Sequence, residues 1–271
     1  MVKDRPLNHA EMVSVLEWYR DAGVDLAVLD EPVDRFAQAT AASSRRPALP
    51  PTEASAPAPA PIVTSMAADP AEARTLAASA QTLEQLAELL GAYEGCGLKQ
   101  RATQLVFADG NPEAEIMLIG EAPGAEEDRQ GKPFVGKSGQ LLDLMLAAIG
   151  LDRTRVYIAN TVPWRPPGNR APTPEELTLC LPFLVRQVEL VAPKVIVTLG
   201  GPAMQSVFGV TTGILKMRGK WDTISLGAHS AEAMPTLHPA YLLRSPAAKH
   251  QAWRDMLALR LKLNSLEITQ R

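Results

Sequence analysis

The chain has 271 residues, 46% of them hydrophobic, and a formal net charge of −3. It contains no run near the roughly 20 apolar residues that a membrane helix needs, and no basic-then-apolar amino-terminal segment that would indicate secretion. Its two cysteines cannot form a disulfide framework, so we expect a protein of the reducing cytoplasm.

Charge is distributed unevenly along the chain. Residues 1–95 hold 7 Lys and Arg against 14 Asp and Glu, whereas residues 96–271 hold 20 against 16. Phosphate contacts need local Lys and Arg rather than a basic total. The second part is therefore compatible with DNA binding, although an ordinary solvated surface would have a similar composition.

The amino-terminal part is predicted to contain an arm and a linker. Apolar residues recur on one helical face between Met12 and Tyr19, which predicts a helical arm within residues 1–36. Residues 37–69 are rich in Ala, Pro, Ser and Thr and cannot bury enough apolar surface to fold, so a flexible linker is expected there. A catalytic domain is then predicted over residues 70–271.

Short apolar runs alternate with amphipathic stretches in the rest of the chain. Strands are predicted at 116–120, 156–160, 195–200 and 234–238. Helices are predicted at 70–79, 82–93, 139–149, 175–191, 202–208 and 247–263. This alternation indicates an α/β fold, a three-layer α/β/α sandwich with a central four-stranded parallel sheet. Three of the four strands end on polar residues, Gly120-Glu121, Asn160 and His238, so a pocket is expected at that edge of the sheet.

The loop after the first predicted strand allows a first functional interpretation. Residues 131–138, G-K-P-F-V-G-K-S, match the phosphate-binding pattern of P-loop nucleotide hydrolases. That loop must spring directly from a strand, and here the strand ends at Gly120, eleven residues earlier. Pro133 also lacks a backbone N–H donor. We interpret the match as accidental and keep a P-loop nucleotide hydrolase as an alternative.

Three motifs resemble those of family 4 uracil-DNA glycosylases. The first combines G-E-A-P-G at 120–124, Glu127-Asp128 and G-x-P-F-V-G at 131–136; the others are R-P-P-G-N-R at 165–170 and H-P-A-Y-L-L-R at 238–244. The resemblance implies the same α/β/α fold and a monofunctional uracil-DNA glycosylase of base excision repair. It also implies uracil-containing DNA, single- or double-stranded, as the partner. We expect a monomer without membrane association; the alternative is a weakly catalytic or non-catalytic binder of uracil-containing or abasic DNA.

The resemblance also implies roles for individual residues. Excision requires base flipping, recognition of the base edge and stabilisation of the departing base anion. The implied catalytic residues are Glu121, Asn169 and His238. The implied uracil-binding residues are Ala122, Glu127, Phe134, Asn160 and His238. The implied DNA-binding residues are Lys137, Arg165, Arg170, Leu243 and Arg244. Several of them have a structural alternative: a core side chain for Phe134, a turn or cap for Asn160, a structural histidine for His238, and ordinary solvated charges for the loop carboxylates and for Lys137, Arg165 and Arg170.

The cysteines depart from the family's pattern, which has four of them for an iron–sulfur cluster. Cys96 and Cys180 remain here, whereas Tyr93 and Trp164 stand at the other two positions. A cubane cluster is normally held by four thiolates, so we expect no cluster, no other cofactor and no metal. Tyr93 and Trp164 are expected to fill the volume, with Cys96 and Cys180 as neighbouring buried thiols.

Overall fold

The structure is a computed structural model that describes residues 69–268. The predicted arm over residues 1–36 and the predicted linker, apart from its last residue, lie outside this range. Those two predictions and the boundary of the catalytic domain therefore stay predictions. Within residues 69–268, no helix is both long and apolar enough to cross a membrane.

A six-stranded sheet forms the centre of the described part, with the strand order β1-β3-β2-β4-β6-β5. The strands are β1 (Asp109–Gly110), β2 (Ile116–Gly120), β3 (Tyr157–Asn160), β4 (Val195–Leu199), β5 (Asp222–Leu226) and β6 (His229–Thr236). The four predicted strands are the central, mutually parallel ones, β3, β2, β4 and β6. Two antiparallel strands, β1 and β5, extend the sheet at its edges and were not predicted.

The helices surround this sheet. They are α1 (Pro70–Ser79), α2 (Leu83–Ala92), α3 (Ala125–Gln130), α4 (Lys137–Ala147), α5 (Pro174–Val191), α6 (Gly201–Phe208), α7 (Ile214–Met217), α8 (Pro239–Arg244) and α9 (Lys249–Ser265). The six predicted helices correspond to α1, α2, α4, α5, α6 and α9, with ends that differ by at most two residues. The short helices α3, α7 and α8 were not predicted.

Alternating side chains of the central strands bury both faces of the sheet. On β2, Leu118 faces a hydrophobic core that includes residues of α4 and α9. Its neighbours Met117 and Ile119 face a second core that includes residues of α5 and α6. Successive side chains of a strand point to opposite faces, so helices cover the sheet on both sides. The predicted three-layer α/β/α sandwich is confirmed.

The carboxyl ends of the parallel strands meet at one edge of the sheet. Gly120 and Asn160 are paired in register as the last residues of β2 and β3. The predicted strand over 234–238 is corrected: β6 begins at His229 and ends at Thr236, because it pairs with β5 in a hairpin that starts further upstream. His238 therefore lies two residues past the strand, where it caps α8.

Candidate active site

A cavity of about 610 Å³ opens at this edge of the sheet. The loops that follow β2, β3, β4 and β6 form its walls, as expected for an open α/β sheet. Nine residues singled out from the sequence line it: Glu121, Ala122, Glu127, Phe134, Asn160, Asn169, Arg170, His238 and Arg244. Lys137, Arg165 and Leu243 do not line this cavity.

Phe134 occupies one wall of the cavity and is only 5% exposed. Its ring lies against Gly120, and a Cβ atom added at Gly120 would overlap both this ring and Oδ1 of Asn160. The ring centroid is 5.5 Å from that of His238, with the two planes inclined by 29°. Phe134 also belongs to the hydrophobic core beneath the pocket. Phe134 is therefore both a core residue and a cavity residue, because its ring packs in the core and also lines the cavity.

Asn160 brings an unpaired hydrogen-bond acceptor to the cavity wall. The residue is 6% exposed, and its Oδ1 atom has no hydrogen-bond partner within the described part of the chain. A buried polar atom left without a partner costs about 1–3 kcal/mol. The site is thus arranged to receive an N–H group from a bound molecule.

His238 is held as a neutral imidazole with a defined tautomer. Its Nδ1 atom accepts a hydrogen bond of 3.0 Å from the backbone N–H of Ala240, so the ring proton lies on Nε2. Burial, with a further contribution from the positive charge of Arg244, lowers the pKa of His238 to about 4, while Glu127 opposes this shift. At neutral pH the ring therefore offers one N–H donor and no positive charge.

Glu121 follows β2 directly, and burial raises the pKa of its carboxyl group. The backbone of the same residue is fixed, because its carbonyl oxygen accepts hydrogen bonds from the Thr161 hydroxyl at 2.7 Å and the Val162 N–H at 3.1 Å. These bonds join the loops after β2 and β3. The residue thus has a fixed backbone and a carboxyl group that burial makes less acidic than usual.

Glu127 holds the loop that carries Phe134. Its Oε1 atom accepts hydrogen bonds from the backbone N–H groups of Val135 at 3.0 Å and Gly136 at 2.9 Å. These two hydrogen bonds, together with the distance in sequence between the loop and the end of β2, rule out the P-loop interpretation. The N–H groups that would bind phosphate in such a loop are taken by an internal carboxylate, and α3 lies between β2 and the loop.

The R-P-P-G-N-R segment lies at the rim. Arg165 donates from Nε to Oδ1 of Asn169 at 2.7 Å, and Asn169 has a left-handed backbone with φ of 54°. Arg170 makes two bonds, of 2.8 and 2.6 Å, to the carboxylate of Glu176. The Arg170 guanidinium is thus engaged within the protein, unlike the exposed side chain of Arg244 at the end of α8.

The motif-based prediction missed one wall of the pocket. This wall comprises Gly200 after β4, the first two residues of α6, Gly201 and Pro202, and the α7 residues Ile214 and Leu215. The Gly-Gly-Pro sequence at the end of a buried strand was the available signal, since it marks a fourth loop at the same edge. The α7 residues carry no such signal in the sequence.

The residues at the four cluster positions lie together, and none of them lines the pocket. The Sγ atoms of Cys96 and Cys180 are 3.8 Å apart and both side chains are buried. Tyr93 and Trp164 are buried in the same cluster, and the Tyr93 ring centroid is 5.3 Å from that of Phe183. The predicted pair of neighbouring buried thiols is confirmed. Over residues 69–268, no three potential metal ligands converge, so the side chains at these four positions do not fit a four-thiolate cluster.

Comparison with known proteins finds a family match over a segment that includes all four pocket loops. Residues 107–258 match the family model of the uracil DNA glycosylase superfamily. The chain is 40% identical to a type-4 uracil-DNA glycosylase of Sulfurisphaera tokodaii over 66% of its own length and 84% of that protein. It is 42% identical to one of Thermotoga maritima over 61% of its own length and 85% of that protein. On its matched sequence and its fold, the chain belongs to the uracil DNA glycosylase superfamily.

Proposed function

We propose that the protein is a monofunctional uracil-DNA glycosylase, which hydrolyses the N-glycosidic bond of uracil in DNA during base excision repair. The observation that carries this proposal is the convergence of four groups in one cavity. They are the Phe134 ring, the unpaired Oδ1 atom of Asn160, the neutral imidazole of His238 and the Glu121 carboxyl group.

Base recognition rests on Phe134 and Asn160. An enzyme that acts on a base within DNA takes it out of the stack into a pocket, and the ring of Phe134 offers it a stacking surface. Oδ1 of Asn160 accepts the N3–H of uracil, which satisfies the unpaired acceptor. Cytosine carries a lone pair at N3 instead of a hydrogen, so the same oxygen disfavours it. Ala122 and Glu127 complete the pocket wall, with Glu127 facing C5, where bulk excludes the methyl group of thymine.

Bond cleavage rests on His238 and Glu121. The glycosidic bond breaks with its electron pair remaining on the base, and the sugar becomes positively charged. The Nε2–H of the neutral His238 donates to uracil O2 as negative charge develops there, which stabilises the leaving base without a prior proton transfer. The Glu121 carboxylate stabilises the sugar cation and orients the water that adds to C1′. Asn169, at the rim, assists in placing this water.

DNA is held around the cavity mouth. Leu243 is 44% exposed on α8 and enters the gap left by the flipped base, while Arg244 beside it contacts phosphate. Lys137, Arg165 and Arg170 are further phosphate contacts, with Arg170 first having to share or release Glu176. We assign the catalytic domain to residues 70–271, acting as a monomer in the cytoplasm and needing no cofactor.

A labelled oligonucleotide with a single uracil tests this function. Incubation in the presence of EDTA, followed by alkali, should cleave the strand at the uracil position, whereas the same sequence with thymine stays intact. A weakly catalytic or non-catalytic binder of uracil-containing DNA is the second candidate, since it would use the same pocket. Retarded mobility of uracil-containing DNA without alkali-labile sites would favour that candidate.

A further inference from the structure

An arginine that does not line the cavity donates hydrogen bonds to the backbone around Phe134. Arg153 begins the short 3-10 turn Arg153–Arg155 that leads into β3. Its guanidinium donates to the carbonyl oxygens of Pro133 at 3.2 Å and of Phe134. These are the two peptide groups on either side of the Phe134 Cα atom. The contact is thus made to the backbone that sets the direction of the Phe134 side chain.

The guanidinium is itself fixed by two carboxylates from different elements. Nη1 donates to Asp109 of β1 at 2.7 Å, and Nε donates to Asp143 of α4 at 2.8 Å. The Arg153 side chain is 24% exposed. Arginine presents five donors in a rigid planar fork, so one side chain can join the sheet edge, a helix and the loop.

The Phe134 backbone needs such support because its conformation is unfavourable. Its φ of 54° lies in the left-handed region, which bulky side chains rarely adopt. Residues in such regions persist only when their surroundings hold them there, at a cost of about 1–3 kcal/mol. Glu127 holds the two N–H groups that follow Phe134, and Gly139 leaves room for its carbonyl, which a Cβ atom there would overlap. Arg153 holds the carbonyl side.

We propose that Arg153 is a positioning residue for uracil excision, which holds the Phe134 ring in its stacking position through the carbonyl groups of residues 133 and 134. This inference rests on the proposed function for its effect on rate. The positioning itself is a property of the free protein. Arg153 touches neither base nor sugar and acts only through Phe134.

A double-mutant cycle separates positioning from general stability. Arg153→Gln should lower the single-turnover excision rate about 10- to 100-fold, the scale on which misplacement of a substrate-positioning group acts. In a Phe134→Ala background the same change should cost less than about twofold, because its target is gone. Arg153→Lys keeps a positive charge between the two carboxylates but has three donors for four contacts, so an intermediate loss is expected.

Arg186→Gln is the matched control. Arg186 is 21% exposed and also pairs with a carboxylate, Glu189, while donating to a backbone carbonyl, that of Ala80. Neither partner lines the cavity, so the excision rate should stay within about twofold of the unsubstituted protein. Equal losses for Arg153→Gln with and without Phe134 would overturn the proposal.

A spectroscopic measurement tests whether Arg153 positions the Phe134 ring without the need for an excision assay. The chain has five phenylalanines, and 4-fluorophenylalanine labelling gives each a ¹⁹F resonance, with that of Phe134 identified by its loss in Phe134→Ala. Arg153→Gln and Arg153→Lys should shift or broaden this resonance, and Arg186→Gln should leave it unchanged. An unchanged Phe134 resonance in both Arg153 variants would refute the positioning role. Absent excision by the unsubstituted protein would instead refute the proposed function.

Discussion

His238 offers the sharpest test of the mechanism, because its two ring nitrogens have separate tasks. Nδ1 accepts from the Ala240 N–H and caps α8, whereas Nε2 carries the proton assigned to uracil O2. His238→Ala removes both. Loss of one donor to a developing oxyanion typically lowers the rate by about 10²–10³-fold, and loss of a cap typically costs about 0.5–2 kcal/mol of stability. We therefore expect a slower and less stable enzyme.

His238→Asn separates the two effects. An asparagine side chain is a good N-cap and can still accept from the Ala240 N–H, so the midpoint of thermal unfolding should stay near that of the unsubstituted protein. Its shorter side chain does not reproduce the Nε2–H group, so excision should remain slow. Uracil-DNA affinity should change only a few-fold in both variants, because the lost bond strengthens only as the base becomes anionic.

Single-turnover excision of a uracil-containing oligonucleotide, with enzyme in excess, measures the chemical step. Burial has lowered the pKa of His238 to about 4. A plot of the rate of the unsubstituted enzyme against pH should therefore show no inflection near 6.5, the ordinary pKa of histidine. A His238→Asn rate within a few-fold of the unsubstituted value would show that His238 has only its capping task and would refute this assignment.

Three further predictions concern Glu121, the cysteine pair and the amino-terminal residues. Burial raises the pKa of Glu121, so protonation of its carboxylate should make the excision rate fall as the pH is lowered, starting above the ordinary glutamate pKa of about 4.3. Glu121→Gln should excise slowly and should not show this loss of rate at low pH. The same loss of rate in Glu121→Gln would refute the role of Glu121. Purified protein should be colourless, without stoichiometric iron by elemental analysis, because Cys96 and Cys180 supply only two thiolates; a brown, iron-containing anaerobic preparation would contradict this. Deletion of residues 1–66 should leave the excision rate unchanged, and a soluble but inactive truncated protein would show that these residues belong to the catalytic fold.

The sheet could be predicted because its central strands have a strong local pattern. The run at β2 is apolar at every position apart from its terminal glycine, and all five residues are buried. The two-residue strand β1 has no such pattern and depends on pairing with β3. Strand β5 did carry a signal: Ile224 and Leu226 alternate with polar residues before Gly227, a pattern typical of a hairpin strand.

Residue types at strand ends predict only part of the site, and the resemblance in motifs supplied other lining residues such as Glu127, Phe134 and Asn169. Asn160 ends β3 and His238 lies two residues past the end of β6, so the rule that parallel strands end at one edge still predicts that the two lie near one another. The tautomer of His238 depends on the Ala240 N–H, and the conformation of Phe134 depends on Glu127 and Arg153. Such contacts join loops and elements through tertiary packing, which no periodicity in the sequence reports.

Direct detection of the released base tests the central claim. The unsubstituted protein, in EDTA and in excess over an oligonucleotide with one uracil, should release one free uracil per strand, identified by mass spectrometry, and leave an intact abasic strand. Strands with cytosine or thymine at that position should release no base. Absence of free uracil at excess enzyme, despite binding of the uracil-containing strand, would contradict the account and identify the protein as a binder.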